Sequence, residues 1–360
     1  MRKLLGPLLL VVLIAGVGYA IYRSASQAIR ERAVVTVRGL SGSEKIDYLT
    51  DPKVLSRLRS LGINLMVEKS GSREMAFRND LSKYDFAFPA GAPAATKVME
   101  VAKVKKSYTP FFTPMTIASW KPIVDVLSAN GIVKQTGPTW YIVDLHKLFD
   151  IMRAGQRWKD LPHSDAYPVG KSVLVSTTDL RTSNSASMYL ALASYVMNGD
   201  NVVQDSSQIA KVSPLIAPLF SKQGYQESST AGPFEDYVSM GMGKAPLVLI
   251  YEAQFIEYEL QHAGARKDMV LLYPQPTIYT KHTFVPLTPN GDKLGNLLAS
   301  DPELQKLAAE YGLRTTATDE TKGWAAKGVP APDQLLDVID PPSYDVLERM
   351  ITTIETGTSP

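Results

Sequence analysis

Apolar and polar positions change period repeatedly along this chain, and the changes fall at loops of small residues. Residues 34–37 (VVTV) are a β-branched run that reads as a strand. The loop GLSGSEK follows, where Ser41 and Glu44 have the spacing of a capping box and Ile46 and Leu49 take the buried side of a helix. Asp51-Pro52 restarts a helix with Val54, Leu55, Leu58 and Leu61 on one face, and Gly62 ends it. Residues 64–68 (NLMVE) are a second strand, turned by KSGSREMAF into another helix, and residues 85–88 (DFAF) are a third, followed by PAGAPAATKVMEVAK. Strands alternating with helices predict parallel pairing in a sheet covered on both faces. In such sheets ligands sit beyond the carboxyl ends of the strands, so Ser41, Gly42, Ser43, Ser70, Gly71, Ser72 and the loop 89–93 are expected on one rim.

A Pro-interrupted aromatic stretch, residues 109–120, opens a second section, and Leu145, Leu148, Phe149 and Met152 mark a helical face within it. Residues 172–175 predict a buried strand, and Met188, Leu192, Tyr195 and Val196 share one helix face that stops at Asn198-Gly199. That helix begins near Ser183 to Ser185. Its first turn has N–H groups without intrahelical partners, so Thr182, Ser183, Asn184 and Ser185 either cap it or help it hold an anion or polar ligand. Residues 245–251 (APLVLIY) are a strongly apolar strand ending at Tyr251-Glu252; residues 269–273 are another, and 275–287 a long extended stretch. Two helices close the pattern. One starts at Asp301-Pro302 and stops at Gly312; the other covers 344–353, with Val346, Leu347, Met350 and Ile351 on one side.

The start of the chain departs from both periods: Met1-Arg2-Lys3 precedes an apolar stretch at residues 4–22, long enough for a bilayer, which needs roughly 20 residues. A cleaved signal peptide is the competing reading, but GYAIYRSASQ offers no A-x-A-like site. The expectation is an uncleaved single-pass anchor with Arg2 and Lys3 inside, which puts the folded part outside the cytoplasm, in the periplasm or at the cell surface. Among 360 residues, 38 are basic and 36 acidic, a balance that excludes a nucleic-acid surface. The absence of cysteine removes disulfides, thiolate sites and a lipid-modified cysteine. His146, His163, His262 and His282 lack metal-binding spacing, Gly241-Met242-Gly243-Lys244 lacks the rest of a phosphate loop, and no G-x-S-x-G elbow occurs. No catalytic residue, metal or cofactor is expected.

In order and content, these pieces resemble the type II solute-binding proteins that deliver ligands to ABC transporters. The resemblance covers about residues 34–315 and rests on the Ser-Gly-Ser loop after the first strand, DLRTSNSASMYLALASYVMNG, LVLIYEAQ and the closing HTFVPL…SDPELQKLAAEYGLR. Among the subclasses it is most similar to the oxyanion- and iron-binding groups. It implies an α/β fold of two lobes, each a mostly parallel sheet of the 2-1-3-n-4 kind flanked by helices, joined by two extended crossovers with the ligand between. Carried over by position, ligand contacts fall on Ser41, Ser43, Ser70, Ser72, Ser183, Asn184, Ser185, Tyr251 and Glu252. Two departures stand out: the lipoprotein cysteine is replaced by an apparent anchor, and the third loop, Pro-Ala-Gly-Ala-Pro, has no side-chain donor.

The expected organisation is an anchor and stalk at 1–33, a first lobe from 34–112 plus 278–360, and a second lobe from 113–277, with crossovers at 113–120 and 277–287. The expected site adds Gly42, Gly71, Arg73 and Arg181 to the carried-over contacts, since both arginines stand beside hydroxyl loops and suit an anionic ligand. Solvated arginines, or salt bridges to nearby Glu74 or Asp179, are the competing reading for these two. The expected activity is non-catalytic capture of a small polar ligand, working with an ABC permease or another membrane protein and with no nucleic acid. The alternative is an anchored sensory or scaffolding module of the same fold that binds a protein partner.

Overall fold

The computed structural model describes residues 34–262, 267–316 and 319–357, together with Val17 and Tyr19. The expected span at 4–22 otherwise lies outside the described residues, among which no helix is long and apolar enough to cross a membrane. Ten strands form one connected sheet system: β1 (Val35–Ser41), β2 (Ile63–Lys69), β3 (Phe86–Phe88), β4 (Tyr108–Trp120), β5 (Val133–Gln135), β6 (Trp140–Asp144), β7 (Leu247–Tyr251), β8 (Met269–Gln275), β9 (Thr277–Pro286) and β10 (Val338–Ile339). The helices are α1 (Ile46–Thr50), α2 (Pro52–Ser60), α3 (Ala92–Ala102), α4 (Lys121–Ala129), α5 (Leu145–Arg153), α6 (Asn184–Met197), α7 (Ser206–Ser221), α8 (Ala231–Met240), α9 (Glu252–Gln261), α10 (Pro289–Ser300), α11 (Pro302–Glu310), α12 (Glu320–Ala326) and α13 (Tyr344–Thr356).

The main path of the sheet runs β2-β1-β3-β9-β4-β8-β6-β5, with β7 also paired to β4 and β10 to β9. The expected parallel pairing in the order 2-1-3 is found at β2-β1-β3, while the rest of the sheet is mixed. β1 pairs parallel with β2 and β3, and β6 with β8, but β9 is antiparallel to β3 and β4, and β4 is antiparallel to β7 and β8. The reason is the two long strands: β4 and β9 lie side by side, so each returns the chain against its neighbours rather than through a βαβ crossover. The first half of β4 pairs with β9, and its second half sits between β7 and β8.

Apolar side chains collect on either side of this ribbon. Val37, Leu58, Ile63, Phe86, Phe111, Phe284, Leu298 and Leu313 belong to one core, while Ile117, Trp120, Phe149, Tyr189, Leu219, Ile250 and Leu272 belong to a larger one. α13 touches two cores: Tyr344 packs with Leu40, Met75 and Val285, and Val346, Leu347, Met350 and Ile351 join the larger cluster.

Local signals explain the helix ends. Asp51 accepts from the N–H of Lys53 (2.5 Å) and Val54 (3.3 Å) to cap α2, and Asp301 accepts from Glu303 and Leu304 (both 3.1 Å) to cap α11, each followed by proline at the first position. The Ser41–Glu44 capping box does not form: Ser41 ends β1, its hydroxyl turns to the Gly42 carbonyl, and Glu44 pairs with Lys45. Residues 172–175 are not a strand. Val173 and Val175 are buried, but Val173 N–H bonds Gln156 while Ser176 exchanges bonds with Leu247 and Leu249, so no single neighbour supplies a ladder. β5 and β6 have no counterpart in the sequence reading.

Candidate functional site

Four loops that the sequence places far apart converge on one small cavity of about 70 Å³. Gly42 and Ser43 come from the turn after β1, Ser70, Gly71 and Ser72 from the turn after β2, Thr182 to Ser185 from the start of α6, and Ser228, Ser229 and Thr230 from the segment before α8; Tyr251, at the end of β7, completes the wall. The strand order puts the ends of β1 and β2 beside each other, with Ser70 N–H donating to the Ser41 carbonyl at 3.0 Å and Gly42 N–H to Phe88 at 3.3 Å. Opposite them, the hydroxyls are wired together. Ser43 and Ser229 share a hydrogen bond of 2.9 Å across the cavity, Ser183 and Ser185 one of 2.9 Å, and Ser185 and Thr178 one of 2.7 Å. Asn184 Nδ2 donates to the Tyr251 hydroxyl at 3.2 Å, and burial pushes that phenol far above its ordinary pKa, so it stays neutral.

No side chain caps α6, so the first-turn N–H groups and the positive end of the helix point toward this lining of hydroxyls, each able both to donate and to accept. The third loop serves as backing: Ala90 N–H donates to Ser72 Oγ at 2.9 Å, and a side chain at Gly91 would strike the Asn184 amide. Since a single water needs on the order of 10–15 Å³, the cavity has room for about five waters. That suits a ligand group of a few heavy atoms, well below the roughly 300–1,000 Å³ of pockets that enclose drug-sized molecules.

The floor is charged. Glu44 lines the cavity and pairs with Lys45, whose side chain is fully buried and lies 4.7 Å from the Phe88 ring centre. Burial alone would raise the Glu44 carboxyl, but Lys45 and His282 outweigh it and hold it below the usual carboxylate range. His282 Nδ1 lies 3.6 Å from that carboxylate. Burial and the Lys45 charge push the imidazole down to about 4, so it is neutral at pH 7.

Nine of the thirteen expected site residues line this cavity: Gly42, Ser43, Ser70, Gly71, Ser72, Ser183, Asn184, Ser185 and Tyr251. Four do not. Ser41 is buried at the end of β1 beneath the cavity. Arg73 turns away to the Glu348 carboxylate of α13 (2.7 Å) and to Ser187 Oγ (3.2 Å), not to Glu74 as the competing reading had it. Arg181 is exposed and bound to Asp179 (2.6 Å) and Glu355 (3.4 Å). Glu252 is buried in a different network, holding Arg314 through two contacts of 2.6 and 2.8 Å and accepting from Tyr273 at 2.5 Å. Among the described residues, therefore, no guanidinium lines the cavity. The sequence reading did not reach Glu44, Lys69, Glu74 or Ser228–Thr230 as lining residues. QESST at 226–230 carried a signal, since it clusters hydroxyls immediately before a helix as the other loops do.

No family model and no curated protein matches the chain. Solved structures do. The periplasmic binding protein P5PA superposes with a TM-score of 0.52 at 11% identity, over 89% of this chain and 98% of that one. The fold is that of the two-lobed periplasmic binding proteins. An ABC-transporter solute-binding protein from Agrobacterium vitis S4, solved with bound D-mannitol, is similar in the same way, with a TM-score of 0.50 and 11% identity over 90% of this chain and 94% of that one.

Proposed function

We propose that this chain is an extracytoplasmic solute-binding protein, held at the membrane by residues 4–22, that closes two lobes on a small polar ligand and presents it to an ABC permease. The lobes are 34–112 with 278–360, and 113–277, hinged on β4 and β9, and closure is of the hinge type. The observation that carries the reading is the convergence of Ser43, Ser70, Ser72, Ser183, Ser185 and Ser229 on one cavity that the Ser43–Ser229 hydrogen bond spans. The work of the site is recognition. Nothing in the arrangement pairs a hydroxyl with a base that would turn it into a nucleophile, and Glu44, the buried carboxylate at hand, is committed to Lys45.

The test is thermal unfolding of the full chain against a panel of small polar solutes. A ligand at 100 times its Kd adds about 2.7 kcal/mol of stability, and the Ser43→Leu, Ser183→Leu double variant should fold yet lose that gain. An unaltered gain in the double variant places binding elsewhere. A scaffold that recognises a protein would show no gain with any solute. Membrane sedimentation together with an intact Met1 tests the anchor, and an amino terminus beyond residue 20 refutes it.

A further inference from the structure

The closing helix α13 lies across both halves of the molecule. Its leading strand, β10, pairs with β9 through Val338 with Thr277 and Ile339 with Ile278, so the helix is led off from one of the two long strands where the proposed lobes meet. The first turn of α13 belongs to the first half. Tyr344 is buried with Leu40, Met75 and Val285, its ring lies 6.2 Å from that of Phe77, and Asp345 stands 3.8 Å from Lys97 of α3. The remaining turns belong to the second half, where Val346, Leu347, Met350 and Ile351 are buried in the larger core and Arg349 donates to Ser206 Oγ of α7 at 2.8 Å.

Arg73 stands where these two sets of contacts meet. It follows Ser72, which lines the serine cavity, and its side chain is buried. Nη2 reaches the two Glu348 carboxylate oxygens of α13 at 2.7 and 2.8 Å, while Nη1 donates to Ser187 Oγ of α6 at 3.2 Å. Ser187 Oγ donates in turn to the Ser183 carbonyl at 3.2 Å, so the chain of bonds ends at the start of α6, on the opposite wall of the cavity. One side chain thus ties the Ser70–Ser72 loop, α6 and α13 together. Burial makes the junction hold, because a guanidinium that lost its carboxylate here would be left without counter-charge. The pair is also releasable: Nε is buried without a partner, so a single nitrogen meets the carboxylate and the stronger two-pronged fork is not formed. Two further contacts cross the same cleft, the Ser43–Ser229 hydrogen bond of 2.9 Å and the close approach of Gly91 to the Asn184 amide. All of these join protein atoms to protein atoms and need no solute to form. We propose that Arg73 is a positioning residue and α13 a clasp, which together hold the two halves closed over the serine cavity, so that solute enters only when the Arg73–Glu348 pair lets go. This rests on the two-lobed reading above and adds that closure is set by the tail of the chain itself.

The experiment measures the distance between the halves in the full chain with no solute added. The sequence has no cysteine, so Lys53→Cys on α2 and Asp150→Cys on α5, both exposed and on opposite halves, take spin labels without background. Pulsed electron paramagnetic resonance should give one narrow distance distribution for the doubly labelled parent. Arg73→Ala and Glu348→Ala should each add a population at longer distance. Arg73→Lys, which keeps a cation for Glu348, should return most molecules to the parent distance. Arg181→Ala, which breaks exposed pairs to Asp179 and Glu355 away from the junction, should leave the distribution unchanged. Circular dichroism checks that each variant is folded; should Arg73→Ala fail to fold, Glu348→Ala decides, since Glu348 is 28% exposed and its loss leaves α13 its apolar face. A long or broad distribution in the parent, or parent-like distances in Glu348→Ala, overturns the clasp. The two readings separate because the distances are read without solute. If Ser43→Leu, Ser183→Leu loses a solute-dependent thermal gain while Glu348→Ala keeps the parent distances, the cavity stands and the clasp falls. If Glu348→Ala opens the halves and no solute stabilises the parent, the clasp stands and the serine cavity is not a solute site.

Discussion

Glu252 was expected at the ligand and is found instead as the buried partner of Arg314, so its replacement separates a structural from a binding role. Glu252 is fully buried and Arg314 is 4% exposed. Two short hydrogen bonds join them, Tyr273 donates to Glu252, and Arg314 also donates to the carbonyls of Pro332 (2.7 Å) and Asp333 (3.3 Å). Glu252→Ala leaves a buried guanidinium with no counter-charge, a loss of about 3–5 kcal/mol. With an unfolding entropy near 2.1 cal/mol/K per residue, a chain of 360 residues loses about 4–7 °C of Tm. Differential scanning calorimetry reads the loss, and titration below the transition reads the ligand. Removing both charges, with Glu252→Leu and Arg314→Met, should restore at least half of the lost stability, because no orphaned ion remains. An unchanged Tm in Glu252→Ala, or selective loss of ligand affinity at unchanged stability, would refute the argument and return Glu252 to the site.

Buried His282 and half-buried Glu257 pull stability in opposite directions with pH. His282 titrates near 6.5 unfolded and about 4 folded, so stability falls as pH drops through that window; Glu257 titrates near 4.5 unfolded and about 7 folded, so stability falls as pH rises from 4.5 to 7. Relative to the parent, chemical denaturation of His282→Phe should show a stability that declines more steeply from pH 4.5 to 7, and Glu257→Gln one that declines less or rises; parallel profiles in the two variants would contradict both assignments. His282→Phe should also gain roughly 1–3 kcal/mol at pH 5, since both ring nitrogens are buried without hydrogen bonds, measurable as a higher denaturant midpoint. Gly91→Ala should displace the Asn184 amide and weaken ligand binding severalfold at nearly constant Tm, and unaltered affinity by titration would count against Asn184 as a contact. Gly312→Ala should cost about 1–2 kcal/mol from its left-handed backbone alone, and more because the new Cβ meets the Ala253 carbonyl at 2.5 Å; a Tm within error of the parent would be the contrary result.

How much was legible in the residues follows from the range of each signal. Local signals carried well: Asp51-Pro52 and Asp301-Pro302 begin helices, Asn198-Gly199 ends α6, and hydroxyls grouped before helix starts marked most of the cavity lining. The ending Tyr311-Gly312-Leu313-Arg314 read as a helix stop and as part of the resemblance, but neither reading shows that each residue has a distant counterpart. Tyr311 bonds Asp51 at 2.6 Å, Gly312 passes against Ala253, Leu313 enters the core, and Arg314 holds Glu252. No periodicity encodes such pairings. For the same reason the arginines misled: standing beside a hydroxyl loop says nothing about Glu348 or Glu355, which α13 brings back from the end of the chain. Glu44 and Lys45 were read as an ordinary helix start, because only the fold shows them under the cavity and beside His282.

The pairing of β3 with β9 joins Ala87 to Val285, so one edge of the first sheet waits for a segment made about 200 residues later, roughly 10–40 s at ordinary rates of synthesis. Until then Phe86, Phe88 and Phe111 have no Phe284 to pack against, and β3 offers bare N–H and C=O groups to any other strand. A chain emerging into the cytoplasm therefore cannot complete its first core early. Such a chain stays open to factors that hold nascent chains, and it commits to its native form only after its closing third has been made.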